Sequence, residues 1–402
     1  MGADLALLVH ARGAEARLAL RVACLSLAER LVHSARMAGL RQTVIISSRP
    51  QLLPEMPPWT VILPHLQALP ESASVRYLVL GAGYLPDVTF LRELAAAADG
   101  KTPCRVQNTP ALVCGRSQLE TLVPRLFGNS AAGGGGAIGN MTGMRTLRPD
   151  HGRIFDLRDG SAIPAVEKAL FKTLVKDTEG FMSRHVERRI SLALSRRLVN
   201  TAVTPNQMTL ASVAVGLGGA LCMALGTRPW QVAGALLFLA HSILDGCDGE
   251  IARVKFMQSR LGGILDFWGD NVVHTAVFLA IGHAWWHASA SAWAIVFSVL
   301  AAGGTMAAAG LVYIRTMMRK EGDGPLFTSV SATAGKSRIA AAADFLSRRD
   351  FIYLVVILAF WGHLNWFLAM AGLGAPAFFL VLLWLDAGER NGRQKPRVMQ
   401  KH

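Results

Sequence analysis

The second half of the chain consists of long apolar stretches, most of which are long enough to cross a bilayer as helices. The predicted spans lie at about residues 206–226, 230–252, 262–283, 291–314, 351–371 and 374–388. The second and third spans contain four aspartates, Asp245, Asp248, Asp266 and Asp270. Each carboxylate inside a bilayer costs about 2.5 to 3.5 kcal/mol. This set therefore predicts a place where metal ions and a charged ligand bind.

The composition also indicates a membrane protein. Hydrophobic residues make up 52% of the chain and charged residues only 17%, a balance that soluble enzymes rarely have. The net charge of +14 suits either nucleic acid or an anionic membrane surface. Because the chain has apolar spans and no nucleic-acid-binding motif, we predict a lipid bilayer as partner and no nucleic acid.

The distribution of basic residues predicts the orientation. The connections at 253–260 and 315–349 and the tail at 391–402 are basic, whereas the opposite connections are short and nearly uncharged. The positive-inside rule then places both termini and the basic loops in the cytoplasm. We predict a multi-pass protein of the inner membrane, with its N-terminal domain and its active site on the cytoplasmic side.

Residues 1–150 have the pattern of a soluble α/β domain. Short apolar runs typical of buried parallel strands occur at Leu5–Val9, Thr43–Ser47, Thr60–Leu63 and Tyr77–Leu80. Helices are predicted at about 23–38 and 89–98, which gives β-α-β units. Residues 151–203 are predicted to be a linker, and within it the basic region 164–200 is predicted to form an amphipathic helix on the membrane surface, interrupted near Gly180. The alternative is a solvated linker helix.

The spacing of the aspartates predicts that their carboxylates converge. Asp245 and Asp248 lie three residues apart, and Asp266 and Asp270 lie four apart, so each pair shares one face of its helix. The short connection between the two spans makes the helices antiparallel neighbours. Oxygen ligands without histidine or cysteine favour Mg²⁺, Mn²⁺ or Ca²⁺ over zinc.

Three residues beside the aspartates suit a phosphate ligand. The guanidinium of Arg253 can bind phosphate in a bidentate manner. Gly249 and Gly262 leave room for a ligand close to the backbone. His241 and His274 also lie on these spans, where a buried, hydrogen-bonded histidine is the favoured interpretation and contact with substrate is the alternative.

Together these residues form the pattern D-x-x-D-G-x-x-A-R-x8-G-x-x-x-D-x-x-x-D, which begins at Asp245 and ends at Asp270. The pattern is the signature of the CDP-alcohol phosphotransferases, and the chain resembles this family over about residues 164–388. Val203-Thr204-Pro205-Asn206 is similar to the family's entry motif at the first span. The resemblance implies a membrane domain at 204–390 that transfers a phosphoryl-alcohol group from a CDP-linked alcohol to an acceptor hydroxyl and releases CMP.

The resemblance also implies residue roles. Asp245, Asp248 and Asp266 would hold two Mg²⁺ or Mn²⁺ ions, and Asp270 would be the general base and a further metal ligand. The residues that would line the CDP site are Gly249, Ala252, Arg253, Gly262, Thr204, Pro205 and Asn206. The family analogy implies a homodimer, and the acceptor could be a phosphorylated polyol. The alternative from another class of protein is a transporter or membrane scaffold that uses the aspartates as an ion path.

The N-terminal domain more faintly resembles the sugar-nucleotidyltransferase fold. Leu25-Ser-Leu-Ala-Glu29-Arg30-Leu31 and Thr43-Val-Ile-Ile46 follow that family's helix-then-strand order. The loop at 9–17 lacks a glycine-rich phosphate cradle, and Gly81-Ala82-Gly83 stands where an aspartate would hold magnesium. We therefore expect a catalytically inactive domain. Fusion of two such modules is similar to the inositol-phosphate cytidylyltransferase/di-inositol-phosphate phosphate synthases, so the alternative is a bifunctional enzyme that also makes its CDP-alcohol from CTP.

Overall fold

The structure is a computed structural model that describes residues 4–70, 75–97, 102–107, 109, 111–127, 144–150, 153–174, 186–317 and 351–394. The predicted helix interruption near Gly180, most of the basic 315–349 connection and most of the basic tail lie outside these residues. The chain divides into two compact units, residues 1–170 and 171–402. The N-terminal unit therefore extends past the predicted boundary at residue 150.

The N-terminal unit is an α/β domain, as predicted. Its strands are β1 (Asp4–His10), β2 (Arg21–Val22), β3 (Leu25–Ser26), β4 (Thr43–Ile46), β5 (Thr60–Leu63), β6 (Val75–Gly81), β7 (Tyr84–Pro86), β8 (Cys104–Val106), β9 (Leu112–Gly115), β10 (Arg145–Leu147) and β11 (Ile154–Asp156). Its helices are α1 (Glu15–Leu18), α2 (Leu27–Met37), α3 (Val88–Ala97) and α4 (Arg116–Phe127), and α5 (Ile163–Lys172) begins in this unit.

Seven of these strands form one sheet, in the order β10-β8-β9-β6-β1-β4-β5. The four strands predicted from apolar runs are neighbours that pair in parallel: β1 pairs with β4 and β6, and β4 pairs with β5. One prediction about them is wrong: β5 is an edge strand, and Val61 and Ile62 are each 37% exposed. The apolar run signals a strand but not its position in the sheet.

The segment after residue 150 completes this unit. Strand β11 pairs with β7, and Leu157 and Val166 are buried in the same core as β1 and α2. The side chain of Glu167 accepts a hydrogen bond from the backbone of Ala23 at 2.5 Å. These contacts are the reason that the unit continues to Leu170.

The C-terminal unit is helical. Its helices are α6 (Arg188–Leu198), α7 (Pro205–Ala224), α8 (Arg228–Val254), α9 (Arg260–Ser289), α10 (Ala292–Val312), α11 (Phe351–Trp361) and α12 (Leu364–Gln394). Five of them, α7 to α10 and α12, are long and apolar enough to cross a membrane, whereas α11 is a shorter apolar helix. The chain is therefore a multi-pass membrane protein, and the count of six spans stays a prediction.

The break between the last two helices differs from the prediction. It lies at Gly362–His363, not at residues 372–373, because Gly362 adopts φ +77°, a left-handed conformation that ends a helix. Arg228 at the start of α8 donates from Nε to the carbonyl oxygen of Phe360 at 2.9 Å, which satisfies the end of α11. Because the residues on both sides of this turn are apolar, hydropathy does not predict its position.

Helices α7 and α8 approach each other through glycine, as the glycine-rich stretch at 216–219 predicts. A Cβ placed on Gly219 would lie 2.8 Å from the carbonyl oxygen of Gly234 and 3.1 Å from Cβ of Leu237. On α10, Gly304 lies equally close to the backbone of α12 at Ala375 and Pro376, whereas Gly303 faces open space.

Substitution at two adjacent glycines tests this contact. Gly219→Ala should lower the free energy of unfolding by about 1–3 kcal/mol, because the helices must separate to admit the methyl group. Gly218→Ala is the matched control: apart from its own helix backbone, no described residue lies within 4 Å of its Cβ position, so alanine should be neutral or stabilise by up to about 1 kcal/mol. Thermal unfolding in detergent measures both, and equal melting temperatures for the two variants would contradict the close approach.

Candidate metal and phosphate site

The N-terminus of α7 is fixed by a capping box. The hydroxyl of Thr204 accepts a hydrogen bond from the backbone N–H of Gln207 at 3.4 Å, and the Gln207 side chain accepts one from the N–H of Thr204 at 3.0 Å. Pro205 stands at the first helical position, where its fixed φ suits a helix. Lys255 donates to the carbonyl oxygens of Thr201 and Val203 at 2.7 and 2.8 Å, which holds the preceding loop against the end of α8.

Three of the four predicted aspartates converge where α8 meets α9. One carboxylate oxygen from each of Asp245, Asp248 and Asp266 lies within 4.8 Å of the other two. Asp245 and Asp248 are buried, with exposed fractions of 5% and 6%. The hydroxyl of Thr209 on α7 makes a short hydrogen bond with Oδ2 of Asp248. The i, i+3 spacing on α8 and the antiparallel turn therefore bring these groups together, as predicted.

Asp270, the fourth aspartate, lies outside that group. Its Oδ1 is 3.5 Å from Nε2 of His241, a buried residue of α8. The other ring nitrogen of His241, Nδ1, is 2.9 Å from the carbonyl oxygen of Ser212 on α7. The structure thus separates a cluster of three carboxylates from a histidine–aspartate pair one turn further along α9.

The residues predicted to line the CDP site adjoin the cluster in sequence and partly in space. The guanidinium of Arg253 lies over Gly249, since a Cβ on this glycine would be 3.3 Å from Nη1 of Arg253. A Cβ on Gly262 would be 3.0 Å from both Oδ1 of Asn206 and Oγ of Ser259, so the entry motif meets the start of α9. Ala252 lies on α8 next to Arg253 and is half-buried.

These residues fit a hard divalent cation. The donors are carboxylate oxygens, which Mg²⁺ and Mn²⁺ prefer. Oδ1 of Asp266 is buried and has no hydrogen-bond partner among the described residues. Three negative charges this close, one of them with an unsatisfied buried oxygen, require a compensating positive charge.

Comparison with known proteins agrees with this geometry. Residues 202–373 match the family model described as CDP-alcohol phosphatidyltransferase. The match includes every converging aspartate, the capping box and Arg253. Residues 202–373 are therefore similar to the CDP-alcohol phosphatidyltransferase family.

Relatives of the phosphatidyltransferase domain carry related names. The chain is 38% identical over 130 residues to a bifunctional IPC transferase and DIPP synthase of Thermococcus kodakarensis, over 32% of this chain and 29% of the relative. It is 45% identical over 115 residues to a protein of the same name from Archaeoglobus fulgidus, over 28% of this chain and 22% of the relative. The chain therefore matches less than a third of the length of these curated relatives.

The chain also has a low structural similarity to a solved enzyme structure. The apo crystal structure of phosphatidylinositol phosphate synthase from Mycobacterium tuberculosis superposes with a TM-score of 0.32 and 22% identity, over 48% of this chain and 95% of that one.

Sequence reasoning missed two polar partners of the aspartate site. Thr209 follows Pro205 by one helical turn, so it shares a face with the capped N-terminus, and that spacing could have identified it. The contact between His241 and the Ser212 carbonyl carried no sequence signal, because any residue supplies a carbonyl.

A buried ion pair holds α6 beside the aspartate motif, the pattern from Asp245 to Asp270. Glu250 of the motif is fully buried, and its Oε1 accepts hydrogen bonds from Nη1 of Arg188 at 2.8 Å and from Oγ of Ser191 at 2.7 Å. The helix α6 was predicted as part of an amphipathic surface helix. Glu187, Ser191 and Ser195 are buried and form a polar face toward the protein interior. The helix α6 therefore packs against the protein through polar residues, in addition to carrying basic residues.

Proposed function

We propose that the protein transfers a phosphoryl-alcohol group from a CDP-linked alcohol to the hydroxyl of a second alcohol, with release of CMP. The observation that carries this proposal is the convergence of the Asp245, Asp248 and Asp266 carboxylates within 4.8 Å, inside a matched CDP-alcohol phosphatidyltransferase domain. The reaction forms a bond between the acceptor oxygen and the β-phosphorus and breaks the bond from that phosphorus to the CMP oxygen.

The residue roles follow from position and chemistry. Asp245, Asp248, Asp266 and Asp270 would hold two Mg²⁺ or Mn²⁺ ions, which supply positive charge to the diphosphate and to the leaving CMP. Arg253 would bind a diphosphate oxygen through its guanidinium. The residues that would line the nucleotide site are Gly249, Ala252, Gly262, Thr204, Pro205 and Asn206; in the structure Arg253 covers Gly249, and Asn206 and Ser259 cover Gly262. Asp270 would accept the proton of the acceptor hydroxyl as the new bond forms.

Release of CMP from purified protein tests the proposal. CDP-diacylglycerol and CDP-polyols, each with inositol, glycerol and their phosphates as acceptors, form the panel. The wild type should release CMP with Mg²⁺ or Mn²⁺ and none with EDTA, and Asp270→Asn should abolish release. A wild type that releases no CMP across the panel would refute the proposal and favour a transporter or scaffold.

For the N-terminal domain we propose a non-catalytic role. The ring of Phe127 stacks on His10 at the end of β1, with centroids 5.3 Å apart. A Cβ on Gly81 at the end of β6 would lie 2.8 Å from the Phe127 ring, so Phe127 occupies the space where the aspartate of a nucleotidyltransferase would hold magnesium. Burial, with a contribution from Arg12, lowers the pKa of His10, which favours a neutral ring in this stack.

The competing bifunctional assignment predicts nucleotidyl transfer. Full-length protein incubated with CTP, Mg²⁺ and inositol or sugar phosphates should release no pyrophosphate. Pyrophosphate release that survives Asp270→Asn would overturn the non-catalytic role and assign the first step to the N-terminal unit.

We further propose a homodimer in the inner membrane, with the active site and the N-terminal unit in the cytoplasm. The support is the resemblance for the dimer and the basic connections for the orientation. Light scattering with detergent correction tests the dimer, and accessibility of single cysteines to an impermeant reagent in vesicles tests the orientation.

A further inference from the structure

One buried histidine contacts the carboxylate that would accept the proton. His241 is 2% exposed, whereas Asp270, 3.5 Å away, is 18% exposed. Asp270 can therefore reach a substrate, and His241 lies behind it. Any influence of His241 on the reaction must act through the aspartate, not through contact with the acceptor.

The ring of His241 has a defined orientation. A carbonyl oxygen only accepts hydrogen bonds, so the contact with Ser212 requires a proton on Nδ1, and Nε2 faces Oδ1 of Asp270. A carboxylate also only accepts, so His241 and Asp270 form an ion pair in which the ring carries a proton on each nitrogen. Phe238 lies nearly parallel to the ring, with centroids 6.2 Å apart. A Cβ on Gly216 would lie 3.0 Å from Cγ of His241, so α7 closes over the imidazole where only glycine fits.

We propose that His241 is a positioning residue: it joins the Ser212 carbonyl to Oδ1 of Asp270 and so fixes the plane of the Asp270 carboxylate. The contact of Nε2 with Oδ1 limits rotation of the carboxylate about χ2 and so contributes to the orientation of Oδ2. This inference rests on the proposed function for its kinetic consequence, and on the geometry of α7, α8 and α9 for the contact itself.

Three substitutions separate the parts of this contact. His241→Phe retains the ring packing on Phe238 and removes both nitrogens. His241→Asn places an amide near the position of Nδ1 and loses the reach to Asp270. His241→Gln extends an amide to about the position of Nε2 and should restore the contact with the carboxylate. His274→Phe is the matched control, because His274 packs edge-on against the same Phe238 ring, with centroids 5.5 Å apart.

The kinetic expectation is a loss in kcat without a loss in substrate binding. His241→Phe and His241→Asn should lower kcat by about 10–100-fold, the range for residues that orient an active group. KM for the CDP-alcohol should change less than about twofold, and His241→Gln should recover most of kcat. His274→Phe should leave kcat near the wild-type value. A purely structural role would lower all variants in parallel with their melting temperatures.

A double-mutant cycle tests the contact independently of turnover. The change in melting temperature caused by His241→Phe should be smaller in an Asp270→Asn background than in the wild type, because the interaction is already lost. Additive changes would overturn the proposal. Absence of CMP release by the wild type would refute the proposed reaction, but the thermal cycle would still decide whether His241 holds Asp270.

Discussion

Asp266→Asn should abolish turnover and at the same time raise the melting temperature of the protein in EDTA. The carboxylate oxygens of Asp245, Asp248 and Asp266 lie within 4.8 Å of one another, so they repel without a bound cation. Neutralising one relieves that repulsion. A gain of about 1 kcal/mol corresponds to about 2–4 °C for a unit of this size. The loss of one electrostatic contact to the reacting phosphate should lower kcat by at least about 10²-fold.

The response to metal gives the second half of this test. Mn²⁺ at about 100 times its dissociation constant should stabilise the wild type by about 2.7 kcal/mol, and Asp266→Asn should lose most of that gain. Asn271→Ala is the control on the same helix, since it removes only a hydrogen bond to the carbonyl of Phe267. A variant that is inactive yet retains the full Mn²⁺ stabilisation would show that Asp266 does not bind the cation.

Arg188→Met should produce the largest loss of stability outside the site. It leaves the fully buried carboxylate of Glu250 without its cationic partner, and breaking a buried ion pair costs about 3–5 kcal/mol. Because Glu250 lies between Gly249 and Arg253, we also expect weaker binding of the CDP-alcohol. Thermal unfolding in detergent and KM measure the two effects.

Two further variants identify the cause of that loss. Arg189→Met, which removes an exposed neighbouring arginine, should leave the melting temperature unchanged. Arg188→Met combined with Glu250→Met should recover much of the stability, because a pair of apolar side chains replaces the buried pair without an unpaired charge. If the double variant is as unstable as Arg188→Met alone, packing of the arginine, and not its charge, stabilises α6.

The convergence of three aspartates could be predicted because helical periodicity and a short connection leave few alternatives. Asp245 and Asp248 share a face of α8, and the turn before α9 brings Asp266 beside them. The parallel strands of the N-terminal unit were predictable for a similar reason, since apolar runs of four to seven residues bounded by polar ones form strands. The exposure of Val61 and Ile62 was not, because strand order depends on contacts between distant segments.

The end of α11 shows a different limit. Residues on both sides of Gly362 are apolar, so hydropathy predicts one span across the turn, and only the backbone φ of +77° reveals where the helix ends. The extension of the N-terminal unit to Leu170 could not be predicted from the sequence either. The short strand β11 and the first turns of α5 belong to this unit because they pack on its core, and that contact has no local sequence pattern.

The amino-acid sequence by itself determined which residues are candidates for the chemistry: the acidic residues spaced on two apolar helices, the Thr204-Pro205-Asn206 entry to the first span, and Arg253. Only the tertiary structure decided which carboxylates share one point and which one pairs with His241. It also placed Phe127 over the end of β1 and Arg188 against Glu250. These contacts join residues tens of positions apart, and no local pattern specifies them, because they depend on how whole helices and strands pack.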